Sequence, residues 1–422
     1  MVKKVKKDSW PWRYCFADSH GGRLTPKQWS AVIIGFALLY LILLQVARLL
    51  GFFQLGPNPD HIHGMWQIIK QGHSESMHVP PGFAYYLAFK WQLTYKLGLP
   101  YWSARYFIDI IFVVSSGVLS VLLGQALTRN RFLAIASGFI LLCAPIFILA
   151  IALEEAAVFF LPFFLSGLLL FVRELQRRQG PRAGIFLLSG ALIGISTMIR
   201  GNPQFIFIVL GPFAFWLLRK ADIPRWRSRA FIIVSFFLCA QILVMLPWST
   251  VQRKAGLDGI TAYPSIYRAY FWSVRRQTGN NVSDWLNDHY EQPQRSARGA
   301  LDFNLKWLKE DPVALGKLYL FKFTRSWYIS ESGRWDRQIF FTHLPFWIFA
   351  LIGLWRWRQR APGDPALIFL MSVVIYLWVV SGIAGGVARH NSFIYGFIGM
   401  LDGVFFLDLF QRLKPGPGLR KR

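Results

Sequence analysis

The sequence predicts an all-α protein: a polytopic transmembrane helix bundle of about ten spans, with both termini in the cytoplasm and amphipathic juxtamembrane helices in the first outer loop. Composition is the first reason. Of the 422 residues, 54% are hydrophobic and only 16% are charged, which is more apolar surface than a protein of this size can hide from water. The second reason is a series of long apolar segments bounded by charges. The third is the placement of the basic residues, which lie at alternate ends of successive segments.

More than half of the basic residues lie in six patches with few acids among them. The patches are the leader 3–27, residues 129–131, 173–182, 219–229 and 356–360, and the tail 412–422. The positive-inside rule assigns such patches to cytoplasmic loops. The net charge of +26 therefore reports membrane topology and predicts contact with anionic membrane lipids, and no nucleic-acid partner is expected.

Ten apolar segments carry the prediction of the spans. They are 30–51, 106–127, 132–152, 156–172, 183–199, 204–218, 230–248, 339–355, 366–386 and 391–410. The polar, basic leader predicts a cytoplasmic tail followed by a signal anchor. Cys15, Cys143 and Cys239 have no motif spacing, so neither a disulfide framework nor a metal cluster is indicated.

These boundaries divide the chain into five parts. They are a basic cytoplasmic tail (1–29), a transmembrane module that includes the outer loop 52–105 (30–248), a long extracytoplasmic loop (249–338), C-terminal spans (339–411) and a basic cytoplasmic tail (412–422). Within the long loop, 312–332 predicts a helix lying along the membrane interface with its aromatic face toward the membrane, because its three basic residues make a full span costly.

The first outer loop carries two helix patterns of its own. Pro59 suits the first position of a helix capped by Asn58, and apolar residues follow at helical spacing up to Gly72. A second helix is predicted from the Pro80-Pro81 pair to Lys96. Such helices beside the membrane indicate an organised outer surface.

Three acidic residues on the outer side are the candidate catalytic groups. Asp60 lies early in the first amphipathic helix, where a carboxylate can take a proton from an acceptor hydroxyl or amine. Glu154 and Glu155 begin a span with almost no loop around them, which is costly unless they are hydrated or paired. Each of the three also suits the first turn of a helix, where the dipole favours acids.

Arg200 is the candidate group for an anion. It ends one short span before a tight Gly-Asn-Pro turn, and these spans are short enough to predict a connection recessed below the membrane surface. A guanidinium at this position is suited to bidentate binding of phosphate. An arginine that only extends its charged end toward water, a snorkelling side chain, would also occupy this position. Other candidate donor-binding residues on the outer side are His78, Arg253, Lys254, Lys317, Arg389 and His390.

The histidines do not predict a metal site. His61 and His63, at i and i+2 on a helix, point in different directions, and no second pair supplies further ligands. Two other acids have local explanations at span ends, where Asp109 follows Arg105 and Asp408 precedes Arg412 at i, i+4 spacing. Asp402 has no evident partner in the sequence.

Taken in order along the chain, these features resemble the GT-C glycosyltransferases of the dolichyl-phosphate-mannose protein mannosyltransferase type, a group that includes the lipid A aminoarabinose transferase. The resemblance extends to about Trp248. Its carriers are Pro59-Asp60, His78-Val-Pro-Pro-Gly-Phe83, Glu154-Glu155, Gly190-Ala-Leu-Ile-Gly-Ile-Ser-Thr-Met-Ile-Arg200 and Pro247-Trp248.

The resemblance implies a function and roles for the residues. It implies transfer of a sugar from a polyprenyl-phosphate donor in the outer leaflet to a glycan, lipid or protein acceptor, with neither a cofactor nor a bound metal. It makes Asp60 the base, Glu154 or Glu155 a supporting acid and Arg200 a contact to the lipid phosphate. Many members carry two adjacent acids where this chain has Asp60-His61, so His61 or a glutamate from elsewhere is a candidate to share the role of Asp60.

The function expected from the sequence is that of an inverting membrane glycosyltransferase in a bacterial cytoplasmic (inner) membrane, with its active site on the extracytoplasmic side. Aromatic residues of the loop 249–338 are expected on the acceptor side. The alternatives are a transporter or flippase for a lipid-linked saccharide, which needs similar charges, and a polymerase of such saccharides. Transporters often show repeat symmetry, which this sequence lacks.

Overall fold

Among the residues that the computed structural model describes, about 88% are helical and none lies in a strand. The described residues are 16, 23–49, 59–71, 81–100, 103, 105–152, 156–177, 182–221, 223, 225–254, 302, 305–306, 308–327, 336–384 and 394–413. The all-α prediction is confirmed.

The helices follow one another along the chain with short connections in the first half. They are α1 (Pro26–Leu49), α2 (Pro59–Gln71), α3 (Gly82–Lys96), a π-helical turn (Arg105–Asp109) that leads into α4 (Ile110–Thr128), α5 (Arg131–Cys143), α6 (Pro145–Ala152), α7 (Ala156–Leu175), α8 (Ala183–Ile199), α9 (Phe207–Lys220), α10 (Trp226–Lys254), α11 (Pro312–Arg325), α12 (Asp336–Arg360), α13 (Pro365–Ala384) and α14 (Tyr395–Leu413).

Within the described part of the chain, six helical segments are long and apolar enough to cross a membrane. They are Pro26–Leu49, Tyr106–Thr128, Ala156–Leu175, Trp226–Val251, Arg337–Arg360 and Pro365–Gly382. Helices α5 and α8 are apolar but shorter. Each of the ten predicted spans coincides with helical residues, while the number ten and the location of the termini stay predictions.

One predicted span is not continuous. The segment 132–152 forms two helices, α5 and α6, because Ala144 between them has an extended backbone with φ −61° and ψ 123°. Pro145 is the cause, since the ring of a proline disfavours the helical conformation of the residue before it. The prediction of one continuous span rests on hydropathy alone, and hydropathy is not sensitive to this break.

Helix α8 lies in the middle of the N-terminal half and packs closely against α7 and α10. Gly190 makes the closest crossing possible: a Cβ there would overlap the carbonyl oxygen of Phe237 in α10. Gly194, one turn later, would bring a Cβ to 2.9 Å from Val244. Small residues four apart let two helix backbones approach within a membrane, so this pair fixes α8 on α10.

The two predicted helices of the first outer loop form near their expected bounds. Helix α2 begins at Pro59, and α3 is followed by Gly98, whose φ of +63° ends the helix. The two helices pack on each other through Trp66 and Trp91, whose ring centroids are 5.1 Å apart. They form a small layer at one end of the bundle.

The predicted interface helix is α11, and two aromatic side chains of its predicted membrane face pack on other helices. The ring of Phe323 packs edge-on against Trp378 of α13, 5.8 Å between centroids. Trp327, just after the helix, packs against Trp347 of α12 at 5.9 Å. The side of α11 that carries these rings therefore packs on two candidate spans, while the location of the helix at the membrane interface stays a prediction.

Candidate functional site

A buried ion pair fastens the outer helix α3 to the start of the following span. Lys90 is fully buried, and its Nζ donates to the two carboxylate oxygens of Asp109 at 3.0 and 2.8 Å. The hydroxyl of Tyr86 donates to the same carboxylate. Asp109 ends the π-helical turn, a distortion that is frequent at functional sites. The turn thus directs the Asp109 carboxylate toward α3.

The structure gives Asp109 a different partner from the one that the sequence predicts. The sequence predicts a local pair with Arg105, whose side chain lies outside the described part of the structure. The partner that the structure gives Asp109 is Lys90, 19 residues earlier, because α3 folds back over the first turn of the span. The second predicted local pair is confirmed, since Arg412 Nε lies 3.1 Å from Asp408 Oδ2.

Helix α3 also contacts the beginning of α7. The ring of Tyr86 stacks on Phe159, with 4.2 Å between centroids and 15° between planes. Phe159 lies in the first turn of α7, immediately after the connection that contains Glu154 and Glu155. Helix α7, which follows the two glutamates in the sequence, therefore begins in contact with α3.

The beginning of α3 meets the end of α8. Gly82 is so close to α8 that a Cβ there would lie 2.8 Å from the carbonyl oxygen of Met198. Arg200 follows Met198 by two residues and caps α8 with an extended backbone, and its N–H donates to the carbonyl of Ser196 at 2.9 Å. Helix α3 thus begins next to the end of α8 that Arg200 caps.

The turn that carries Arg200 lies level with the middle of two spans. The amide of Gln241 donates to the carbonyls of Pro203 and Gln204 at 3.2 and 3.0 Å. Gln241 is 15 residues after the start of α10 and 13 before its end, so roughly 20 Å of helix extends on either side. The 200–206 turn, called the recessed turn below, therefore lies deep within the helix bundle, as the prediction of a recessed connection requires.

Helix α13 supplies the other supports of the recessed turn. The Tyr376 hydroxyl donates to the carbonyl of Asn202 at 2.8 Å and accepts from the N–H of Phe205 at 3.0 Å. The Asn202 amide donates to the Ser381 hydroxyl at 3.2 Å. Non-helical backbone at membrane depth is tolerated only where protein buries it or where it lines a wet cavity, and here side chains from two spans satisfy it.

Arg200 is half-buried where these elements meet. A guanidinium on a turn at this level of the bundle is suited to an anion that comes from the membrane, because Arg binds phosphate in a planar, bidentate manner. The arrangement thus combines a cation and a turn fixed by two spans, close to the point where α8 meets α3.

The structure describes the remaining predicted site residues only in part. Asp60 lies in the first turn of α2, as predicted, and nothing further is described of its side chain. Arg253 is exposed in the last turn of α10, about 18 Å along the helix from Gln241. Lys254 ends the same helix and Lys317 lies in α11, both with side chains outside the described part of the structure. The residues that lie wholly outside the described part are His78, Glu154, Glu155, Arg389 and His390.

Sequence reasoning missed the residues that hold the site together. Gln241 and Tyr376 are polar residues in the middle of apolar spans, a position that by itself signals a role. Lys90 is part of a buried stripe of α3 with Phe83 and Leu87, which a helical projection of the sequence would reveal. Asp402 in α14 is fully buried, and neither carboxylate oxygen has a hydrogen-bond partner among the described residues.

Comparisons with known proteins give a fold and no sequence family. No protein-family model matches the sequence. No curated protein sequence matches it either. Among solved structures, the oligosaccharyltransferase AglB from Archaeoglobus fulgidus, in complex with an inhibitory peptide and a dolichol-phosphate, is similar with a TM-score of 0.58 and 13% identity over 93% of this chain.

ArnT from Cupriavidus metallidurans, bound to undecaprenyl phosphate, is similar with a TM-score of 0.52 and 16% identity over 94% of this chain. The chain spans about half of AglB, 52%, and 62% of ArnT. AglB and ArnT both belong to the GT-C superfamily. At the level of the fold, the resemblance to GT-C proteins that the sequence suggests is therefore confirmed.

Proposed function

We propose that this protein is a membrane glycosyltransferase that moves a sugar from a polyprenyl-phosphate donor to an extracytoplasmic acceptor with inversion. The recessed turn carries the proposal, because it holds Arg200 level with the middle of α10, two residues after the point where α8 contacts the beginning of α3. A lipid phosphate entering from the side would meet a cation there. The fold shared with AglB and ArnT supports the same substrate class, since their structures contain dolichol-phosphate and undecaprenyl phosphate.

The proposed reaction is a single displacement at the anomeric carbon. The acceptor hydroxyl loses its proton to Asp60 as its oxygen bonds to the anomeric carbon. The bond between that carbon and the phosphate oxygen breaks, and its electron pair leaves with the lipid phosphate. Arg200 stabilises the charge that grows on the phosphate. Attack from the face opposite the leaving group inverts the configuration.

The other candidate residues have supporting roles in this proposal. Glu154 or Glu155 orients the acceptor or assists the base at the α7 end of the site. His78, from the segment before α3, is assigned to the donor phosphate. The remaining outer basic residues guide the donor toward Arg200, and they are Arg253, Lys254, Lys317, Arg389 and His390. The mechanism calls for no cofactor, and the protein acts from the extracytoplasmic side of a bacterial inner membrane.

The test is transfer by purified protein with a panel of radiolabelled undecaprenyl-phosphate sugars and a cell-envelope extract as acceptor. Asp60→Asn is expected to lower the rate by about 10²–10⁴-fold, because a general base contributes that much. Asp302→Asn, the same change at an exposed acid, should keep the wild-type rate.

The competing transporter hypothesis gives a different result in the same system. Movement of the labelled lipid across a proteoliposome membrane without a covalent product, unchanged in Asp60→Asn, would contradict the proposal. Extension of one lipid-linked saccharide by another would identify a polymerase.

A further inference from the structure

Three arginines converge on one carboxylate at the end of the bundle where α12 and α14 end. Asp408 of α14 accepts from the guanidinium of Arg360, and its Oδ2 lies 3.1 Å from Arg412 Nε and 3.6 Å from Arg356 Nε. Lys220, at the far end of the helix that begins at the recessed turn, reaches the adjoining connection through the carbonyl of Gly363 at 3.0 Å. This arginine cluster (Arg356, Arg360 and Arg412) is therefore remote from the proposed active site.

The arginine cluster keeps a surplus of positive charge. Three guanidinium groups face one carboxylate, so two positive charges are left without compensation inside the group. Each guanidinium carries five N–H donors, whereas a carboxylate offers about four acceptor positions. Side-chain exposures of 27% for Arg356, 34% for Arg360 and 59% for Arg412 leave donors accessible from outside.

The surroundings locate this cluster at the boundary between headgroups and hydrocarbon. It lies at the end of α12, one of the helices long and apolar enough to span a membrane. The Arg356 guanidinium is 4.7 Å from the ring centroid of Trp355, and Trp355 is 51% exposed. Tryptophan is enriched at the headgroup level, and Arg stacked on it is held there.

Exposed apolar side chains continue from the cluster along the outside of the bundle. Leu351, one turn before Trp355, is 65% exposed, and Phe410 of α14 is 51% exposed. Both lie on helices that the sequence assigns to the membrane, so their exposed faces meet acyl chains. A ligand with a phosphate at one end and a hydrocarbon chain at the other matches this combination of charge and apolar surface.

We infer that the arginine cluster is a binding site for the phosphate of an anionic membrane lipid. The guanidinium groups of Arg356 and Arg412 grip the phosphate, Asp408 sets their spacing, and the acyl chains lie along Trp355 and Leu351. One phosphodiester group carries one negative charge and therefore neutralises one of the two surplus positive charges of the arginine cluster. The apolar flank favours a bilayer lipid over free phosphate, and the inference does not depend on the proposed function.

The test is native mass spectrometry of the detergent-purified protein with phosphatidylglycerol, with phosphatidylcholine and inorganic phosphate as comparison ligands. We expect discrete phosphatidylglycerol adducts and none of comparable affinity with the other two. The double variant Arg356→Gln/Arg412→Gln should bind phosphatidylglycerol about thirtyfold more weakly, following the usual contribution of a basic residue near an anionic lipid surface.

The matched control variant removes two positive charges at positions outside the arginine cluster. Arg227 stacks on Trp226 at 5.3 Å in the first turn of α10, and Arg358 is exposed on α12 outside the cluster. Arg227→Gln/Arg358→Gln should bind phosphatidylglycerol as the wild type does. An equal loss in both double variants, or tight binding of inorganic phosphate, would overturn the inference, as would unchanged binding by the cluster variant.

A single variant covers the case in which the double variant does not fold. Arg412→Gln alters the most exposed member of the arginine cluster, and gel filtration checks its folding. It should bind phosphatidylglycerol roughly fivefold more weakly. Wild-type affinity in this variant, with the protein monodisperse, would exclude Arg412 from a lipid site.

Discussion

A single carboxylate, Asp109, decides how the outer helix α3 sits on the bundle. It neutralises Lys90, which is fully buried, and it accepts from Tyr86 as well. Burying an ammonium is costly unless a partner with good geometry accompanies it, so Lys90 can occupy its position only while α3 rests on the π-helical turn. One ion pair thereby determines where the outer layer of the site begins.

Replacing Asp109 should destabilise the protein strongly. Asp109→Asn leaves the buried Lys90 charge uncompensated, and we expect a loss of about 3–5 kcal/mol in the free energy of unfolding. Thermal melting in detergent measures it. Asp311→Asn, the same change at an exposed acid, should melt as the wild type does. The double variant Lys90→Met/Asp109→Leu should recover most of the stability, and a double variant no better than Asp109→Asn would contradict the ion-pair explanation.

At Arg200 the expected effect is on binding rather than stability. Arg200→Gln removes the charge that the proposal assigns to the donor phosphate, and hydrogen bonds to charged groups contribute about 1.5–3 kcal/mol. The dissociation constant for undecaprenyl phosphate should therefore rise about ten- to hundredfold, measured by native mass spectrometry. Arg200→Lys should recover part of it, and Arg227→Gln at the other end of the bundle should change nothing. Wild-type affinity in Arg200→Gln would remove Arg200 from the donor site.

At the scale of elements, the recessed turn depends on how closely α8 packs on α10. Gln241 reaches the carbonyls of the turn only because Gly190 and Gly194 bring the two helices together. The turn's other supports come from α13, more than 170 residues later in the chain. The site is thus held by three spans, and the crossing of α8 and α10 is its most sensitive contact.

Gly190→Ala tests this crossing. The new Cβ would overlap the carbonyl of Phe237, so the two backbones must separate and Gln241 must move away from the turn. We expect a loss of about 1–3 kcal/mol, seen as a lower melting temperature, together with weaker binding of undecaprenyl phosphate.

Gly184 is the matched control for Gly190 because it lies on the same helix, and a Cβ added there would have no neighbouring atom within 4 Å. Gly184→Ala should leave binding unchanged and stabilise α8 slightly, since alanine loses less conformational freedom than glycine on folding. Equal behaviour of the two alanine variants would show that the close crossing does not support the turn.

At the scale of the whole molecule, hydropathy and charge predicted the order of helices, and local motifs predicted where α2 and α3 begin. These features depend on residues close in sequence. The partners of Asp109 and of the recessed turn could not be predicted, because they depend on how helices far apart in the chain rotate and cross. The helix break at Ala144 is an intermediate case. The proline at position 145 predicts the break, but hydropathy averaged over the whole segment does not detect it.

The predicted topology places the two charged ends of the bundle on opposite sides of the membrane. Arg253 lies in the last turn of α10, before the predicted long outer loop, and Arg358 lies near the end of α12 in a patch that the positive-inside rule assigns to the cytoplasm. In a chain whose three native cysteines are replaced by serine, cysteine at position 253 should react with a membrane-impermeant maleimide in intact spheroplasts. Cysteine at position 358 should react only after permeabilisation. Labelling of both positions from the same side would contradict this topology, because either α12 does not cross or α11 crosses as well.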